Sequence, residues 1–170
     1  STENLKSDDR TYVEHQEGAP PPAAIQIPTD GGGTLGKDKT GGTDHLFSEL
    51  HYAARKGDVI RCWSLVNRAK IDVNNETSSG TTPLHFAASE GQAEVIAVLV
   101  SLGAKVNAVT EGGYTPLHCA ASSNRVEAIF ELADLRADLN RPEARSIATP
   151  LHWAARNGHH EAVEALVRAK

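Results

Sequence analysis

The sequence predicts an all-α solenoid of stacked helix–turn–helix units, preceded by a flexible N-terminal arm. A ten-residue motif, TPLHFAASEG at residues 82–91, recurs with small changes at 115–124 and 149–158, and in degraded form at 48–57. The leucines of these motifs follow one another at intervals of 33 or 34 residues. The first 43 residues, by contrast, hold half of the glycines and half of the prolines.

The N-terminal arm, residues 1–43, includes the runs PPP at 20–22 and GGG at 31–33. It has too few apolar side chains to offset the entropy lost when its backbone is ordered. We therefore expect it to be disordered or held by a partner. The glycine run, followed by Lys37 and Lys39, superficially resembles a phosphate-binding loop, but the GxxxxGK(S/T) spacing is absent.

The second copy of the motif shows how one unit is built. Thr82 is suited to the helix N-cap, because its hydroxyl accepts a hydrogen bond from an otherwise unpaired N–H, and Pro83 suits the first helical position. Gly91 permits the left-handed conformation that ends a short helix. Residues 93–102 place apolar side chains at helical spacing, and Gly103 ends this second helix. Each unit is therefore two short antiparallel helices plus a projecting β-hairpin or loop.

Four such units are predicted to form one repeat domain over residues 44–170. Their approximate ranges are 44–77, 78–110, 111–144 and 145–170. Units of this size cannot bury their apolar faces alone and are stabilised by stacking on their neighbours.

The last unit ends at Lys170, within its second helix. Terminal repeats normally carry a polar outer face. Here Ala162, Val163, Leu166 and Val167 are expected to form an apolar stripe that no further repeat covers. Either this repeat is truncated and more chain follows in the natural protein, or another molecule covers the stripe.

The third unit departs from the pattern at two helix ends. Asn124 stands where the other units have glycine, and Arg136 stands where the second unit has Gly103. Arginine tolerates the left-handed conformation poorly, at a cost on the order of 1 kcal/mol. The connection from Asn140 to Thr149 is also one residue longer than its counterparts. We expect the third repeat and its outgoing loop to be the softest part of the array.

The motif TPLHxAA, followed by a glycine, a VIAVLV-like helix and GAKVN, resembles the ankyrin repeat. The resemblance covers about residues 44–170 as four repeats. It implies partner binding through the hairpin tips and through the exposed, concave side of the first helices.

The recurring histidines are His51, His85, His118 and His152. Equivalent residues of stacked repeats lie roughly 10 Å apart, the usual helix–helix spacing, so these side chains cannot converge on one metal ion. The resemblance implies that each imidazole bonds to a threonine and to loop backbone, and so ties repeats together. A second pair, His159-His160, is expected at a solvated helix start.

The candidate partner-binding residues lie at first-helix ends, at loop tips and at the position after the fourth histidine. They are Arg55, Lys56, Ser78, Ser79, Ser89, Glu90, Glu111, Tyr114, Ser122, Ser123, Arg145, Trp153, Arg156 and Asn157. Tyr114 is the strongest single candidate for a partner-facing aromatic. The residues after the histidines, Tyr52, Phe86, Cys119 and Trp153, either pack against neighbouring repeats or reach the groove as anchors. The basic residues near both ends of the groove suit a locally acidic partner.

Composition argues against several classes of function. The net charge of −5, the pI of about 5.9 and an aromatic content of 5% disfavour nucleic-acid binding. The sequence contains no run of 18 apolar residues, so no membrane span is predicted. Cys62 and Cys119 do not form a close-spaced pair, which favours the cytoplasm or another reducing compartment over a disulfide framework. No catalytic, cofactor-binding or metal-ligating residues are expected.

The leading interpretation is therefore a non-catalytic protein-interaction module: a scaffold, an adaptor or a subunit of a larger assembly. The alternative is a regulatory or substrate-recruiting segment of an enzyme whose catalytic domain lies outside these residues. A third hypothesis is post-translational, because the spacing around Asn107 and Asn140 resembles that of hydroxylated asparagines in ankyrin proteins.

Overall fold

The computed structural model describes residues 48–170, which form eight α-helices in four pairs. In chain order they are α1 (Glu49–Lys56), α2 (Val59–Asn67), α3 (Pro83–Glu90), α4 (Ala93–Ser101), α5 (Pro116–Ser122), α6 (Val126–Asp134), α7 (Pro150–Arg156) and α8 (His160–Arg168). No β-strand occurs within residues 48–170, so the all-α class and the stacked helix pairs are confirmed. The predicted arm, residues 1–43, lies outside the described residues, and the boundary placed after it stays a prediction.

The helices are arranged in two layers. The first helices of the pairs, α1, α3, α5 and α7, pack side by side, and the second helices α2, α4, α6 and α8 pack in the same order behind them. Each first helix also packs on the second helix of its own pair. Contacts therefore run almost entirely between neighbouring units, as expected of a solenoid.

The core consists of equivalent leucines from every unit. Alanines such as Ala87 and Ala88, both fully buried, allow the helices to approach closely. Replacing one fully buried leucine by alanine typically costs about 2–5 kcal/mol. The leucines that are at most 1% exposed are Leu50, Leu84, Leu99, Leu117, Leu132 and Leu166.

Each first helix begins with the same capping arrangement. In the second unit, the backbone N–H of Thr82 donates to Nδ1 of His85 over 3.2 Å, while the Thr82 side chain caps the helix. Ser48 plays the same part in the first unit. Gly91 ends α3 with a φ of 81°, a left-handed conformation that glycine adopts without strain.

The same histidines also connect consecutive units. Nε2 of His51, His85 and His118 lies 3.1, 3.0 and 3.2 Å from the carbonyl oxygens that immediately precede the next unit's cap. Because Nδ1 accepts a backbone N–H, the proton of each neutral ring is on Nε2, which donates to that carbonyl. This confirms the architectural role predicted for the histidines. His152 in the last described unit caps its own helix but is exposed on its other side.

Two further ladders hold the loops together. Asn74 accepts from the backbone N–H of Lys105 over 2.8 Å, and Asn107 accepts from that of Asp138 over the same distance. At the tips, the N–H of Glu111 donates to the carbonyl of Ser79 over 3.0 Å. These segments contain turns but no β-strands. Of the two predicted forms, the projections between the helix pairs are therefore loops and not β-hairpins.

The apolar stripe predicted on the last helix is wrong for two of its four residues. Ala162 and Leu166 are at most 1% exposed, because α8 packs on both α6 and α7 and these two side chains fall on the packed side. Val163 is half-buried, and only Val167, at 56%, is exposed.

Left-handed residues end several second helices. Arg136 has a φ of 64°, as its alignment with Gly103 (φ 99°) predicts. Lys70, which also lies four residues before its unit's asparagine, has a φ of 58°. The first repeat therefore shares a feature that sequence reasoning placed only in the third. The softness of the third repeat stays a prediction.

A reciprocal exchange tests this backbone cost. Arg136→Gly should raise the free energy of unfolding by about 0.5–1 kcal/mol, because glycine removes left-handed strain that exceeds its own entropic penalty. Gly103→Arg should lower it similarly, since a Cβ at this position meets no atom within 4 Å and only the backbone term remains. Urea denaturation measures both. Equal signs for the two variants would contradict the assignment.

The bridging histidines predict an acid-sensitive fold. Burial lowers the pKa of His51, His85 and His118, and it lowers that of His85 to about 4 from the ordinary 6.5. Below pH 6.5 each of these imidazoles binds a proton in the unfolded chain but stays neutral in the folded chain. The contribution of these neutral histidines to the free energy of unfolding is therefore fully present above pH 6.5 and is lost as the pH falls toward 4.

Urea denaturation at a series of pH values should show this loss. The interval between 6.5 and about 4 corresponds to about 3 kcal/mol for His85 alone. His85→Gln should be less stable than the parent at neutral pH and should lose less stability on acidification, because it cannot take up the proton. A free energy of unfolding that rises between pH 6.5 and 5 would contradict this linkage.

Candidate functional site

The candidate surface is formed by the loop tips and the C-terminal ends of the first helices. The structure leaves seven of the fourteen predicted residues exposed: Lys56, Ser78, Ser79, Glu111, Arg145, Arg156 and Asn157. Six are half-buried: Arg55, Ser89, Glu90, Tyr114, Ser122 and Ser123. Trp153 is buried, with 7% exposure.

Several of the first-helix residues make contacts within the chain. Arg55 lies 3.2 Å from a carboxylate oxygen of Glu90, and Arg125 lies 3.9 Å from the other oxygen. This bridge spans the first three units, and its partly exposed pairs contribute at most about 1 kcal/mol each. The Glu90 charge is thus already compensated, and its role toward a partner stays a prediction.

The corresponding contacts in the later units centre on Ser122. Its carbonyl oxygen accepts from Asn157 Nδ2 over 3.1 Å and lies 3.0 Å from Nε2 of His159. His159 is half-buried and joins the fourth unit to the third, so the prediction of a solvated histidine is wrong there. It holds for His160, which is exposed.

The loop that leads into the fourth unit is organised from inside by Glu143. Its carboxylate accepts from the backbone N–H of Arg145 and Ser146 and from the Ser146 hydroxyl. Burial alone would raise the pKa of the Glu143 carboxyl, but these hydrogen bonds outweigh it and hold the pKa below its ordinary value. The loop therefore closes around one ionised group while Arg145 points outward, exposed.

Ile147 is a surface residue that sequence reasoning missed. It lies at the tip of this loop, is 77% exposed and has a φ of 54°. A β-branched residue in the left-handed region is strained. The available signal was a large apolar residue at a loop tip, in the one connection that is a residue longer than the others.

Tyr114 and Trp153 form the aromatic part of the surface. Their ring centroids are 5.4 Å apart with an interplanar angle of 80°, and the guanidinium of Arg156 lies 5.9 Å from the Trp153 ring centroid. A Cβ at Gly112 would lie 2.5 Å from Cε2 of Tyr114, so a glycine is required for the tyrosine ring to fold back over the tip. Sequence reasoning named both aromatic residues but not their contact.

The charges around Tyr114 identify what lies near it. Burial and the Glu143 carboxylate raise the pKa of the Tyr114 phenol, while the positive charges of Arg145 and Arg156 act in the opposite direction. Tyr114 therefore lies within electrostatic reach of an arginine from the loop and of another from α7.

The residues that follow the histidines divide between the two predicted roles. Phe86 and Cys119 are at most 3% exposed and pack within the array. Tyr52 remains 47% exposed, with the ammonium of Lys56 5.7 Å from its ring centroid. Trp153 is buried, yet its indole Nε1 has no hydrogen-bond partner.

The two thiols belong to the core. Burial raises the pKa of Cys62 to about 11 and that of Cys119 to about 12, so neither is a thiolate nucleophile at neutral pH. Over residues 48–170, no group of three or more His, Cys, Asp or Glu side chains is placed to hold a metal ion. The same part of the chain contains no helix with the length and hydrophobicity needed to cross a bilayer.

Comparisons with known proteins agree with this architecture. A family model described as ankyrin repeats (3 copies) matches residues 50–143, and one described as ankyrin repeat matches residues 148–170. The human ankyrin repeat domain-containing protein SOWAHB is 42% identical over 67 residues, covering 36% of this chain and 8% of that protein.

Two further relatives carry enzyme names. The E3 ubiquitin-protein ligase XBAT33 of Arabidopsis thaliana is 32% identical over 108 residues, covering 63% of this chain and 21% of the ligase. The palmitoyltransferase AKR1 of Naumovozyma castellii is 34% identical over 63 residues, covering 37% of this chain and 8% of the transferase. The chain thus spans about a fifth or less of the length of these relatives. With the family models matching most of residues 50–170 and four stacked helix pairs joined through their histidines, the chain belongs to the ankyrin repeat family.

Proposed function

We propose that this chain is a non-catalytic protein-binding module, acting as a scaffold, an adaptor or a subunit of a larger assembly. The observation that supports this most is a continuous row of exposed tip residues on loops that are bonded to one another. Because the tips are already ordered by the Ser79–Glu111 backbone bond and the asparagine ladder, binding would cost little conformational entropy.

Composition supports a protein partner over a nucleic acid. The chain has a net charge of −5, and the exposed tips mix Ser78, Glu111 and Arg145 without a basic stripe. The buried, unpaired thiols of Cys62 and Cys119 lead us to propose a reducing compartment such as the cytoplasm.

A second candidate function is the regulatory or substrate-recruiting part of an enzyme. Its support is the similarity to segments of an E3 ubiquitin-protein ligase and of a palmitoyltransferase. The complete transcript distinguishes this function from that of a free-standing binding module. A catalytic domain encoded in the same reading frame would support the enzyme segment. A reading frame that encodes no catalytic domain before residue 1 and stops soon after Lys170 would exclude it.

Site-specific photo-crosslinking tests the proposed binding surface. A photoreactive phenylalanine analogue placed at Ser78, Glu111 or Arg145 should yield discrete cross-linked proteins in an extract of the cells that express the chain. The matched controls are Glu94 and Glu127, which are equally exposed but lie on the second helices. Cross-linking that is as strong from the controls as from the tips, or absent from the tips, would contradict the proposal.

A further inference from the structure

The junction of the third and fourth units gathers four side chains into one cluster. Tyr114 comes from a loop tip, Arg145 from the next loop, and Trp153 and Arg156 from α7; we call these four residues the aromatic–arginine cluster. Tyr114 and Arg156 both lie against the Trp153 ring, and the charges of Arg145 and Arg156 both act on the Tyr114 phenol.

Trp153 carries the one buried side-chain polar atom in residues 48–170 that has no hydrogen-bond partner. Its side chain belongs to a residue that is 7% exposed, and its indole N–H makes no bond within the chain. A buried donor left unpaired typically costs about 1–3 kcal/mol. A ligand oxygen that accepted a hydrogen bond from this N–H would recover that cost.

Between the exposed acids Asp138 and Glu161 the charged residues are mostly basic, although the whole chain is acidic. Between residues 139 and 160 there are three arginines, Arg141, Arg145 and Arg156, and Glu143 is the single acidic residue. Glu143 is 3% exposed, and its oxygens are occupied by Arg145 N–H and by Ser146. The two charged side chains that belong to the cluster, Arg145 and Arg156, are therefore both cationic and exposed.

The loop that carries Arg145 also carries an exposed apolar residue with a strained backbone. Ile147 follows Arg145 by two residues and holds its exposed side chain outward from a left-handed backbone. Such strain costs on the order of 1–3 kcal/mol and is characteristic of ligand-binding loops. An exposed isoleucine beside arginines provides a contact for an apolar residue of a bound segment.

We propose that the aromatic–arginine cluster binds an extended acidic segment of a partner protein. Carboxylates of the segment pair with Arg145 and Arg156, and one oxygen accepts the hydrogen bond from Nε1 of Trp153. This rests on the proposed function and specifies the chemistry of its partner. A peptide suits the cluster better than a nucleic-acid backbone, because two arginines at one joint do not form the long basic track that a polyanion requires.

Phage display tests the preference for an acidic segment. The full 170-residue chain serves as bait for a random dodecapeptide library. The enriched peptides should contain more Asp and Glu than the library. Their affinity should fall at least tenfold for the double variant Arg145→Glu/Arg156→Glu. The matched control, Lys105→Glu/Arg168→Glu, makes the same change in net charge at exposed positions away from the cluster and should bind within about twofold of the parent.

The outcomes separate this inference from the proposed function. Enriched peptides that lack acidic residues, or that lose affinity equally in the control, would overturn the acidic-segment site and leave a peptide-binding module. A selection that enriches no peptide would overturn the binding module itself.

The indole resonance provides a direct readout of the Trp153 bond. The chain contains two tryptophans, so Trp63→Phe assigns the Nε1–H signal of Trp153. That signal should move downfield when a selected peptide binds, and Trp153→Phe should weaken binding several-fold with its thermal unfolding still cooperative. A stationary signal with peptide bound would overturn the hydrogen bond. The N-terminal arm of the chain itself contains an acidic pair, Asp8-Asp9. If the Trp153 Nε1–H signal is already downfield in the free chain and moves upfield in the variant Asp8→Asn/Asp9→Asn, the chain fills its own site, and the proposal of a partner segment is overturned.

Discussion

The array depends on a neutral imidazole that bonds to two units at once. In the second unit, Nδ1 of His85 accepts the N–H that begins its own helix, and Nε2 donates to the carbonyl of Tyr114 in the next unit. Loss of the ring would leave both backbone groups buried without a partner, at about 1–3 kcal/mol each. Since His51 and His118 repeat the arrangement, helix capping and unit-to-unit register are set by the same side chains.

This pair of hydrogen bonds from each imidazole also determines where the candidate binding surface lies. The carbonyl that each imidazole holds belongs to the residue just before the next cap, so each loop is fixed at its base, while the tip-to-tip bonds fix its far end. The Tyr114 carbonyl is bound by His85, and its ring lies against Trp153 of the following unit. The tyrosine is therefore positioned by three consecutive units, which makes the aromatic–arginine cluster a product of the stacking and not of one repeat.

The sequence was sufficient for most of the fold because each element has a local signal. Thr82, Pro83 and Gly91 begin and end a helix by their own backbone preferences, and regular spacing places the copies in register. The left-handed residue before each asparagine was predicted at Arg136 but missed at Lys70, where the connection from the end of α2 is one residue longer and hides the alignment.

The site was less accessible to sequence reasoning, because it depends on contacts between units. Nothing in the amino-acid sequence indicates that Glu90 bridges Arg55 and Arg125, or that the Trp153 indole N–H is buried without a hydrogen-bond partner. Which side of α8 is covered was also misjudged for Ala162 and Leu166, since helical spacing gives an apolar face but not the neighbour that covers it.

The state of the imidazoles tests the central claim most directly. Long-range ¹H–¹⁵N NMR spectra of the histidine side chains distinguish the proton on Nε2 from the proton on Nδ1 and from the doubly protonated ring. At neutral pH, His51, His85 and His118 should each show the neutral form with the proton on Nε2. A proton on Nδ1, or a positively charged ring, at any of the three would contradict the bridge on which the stacking depends.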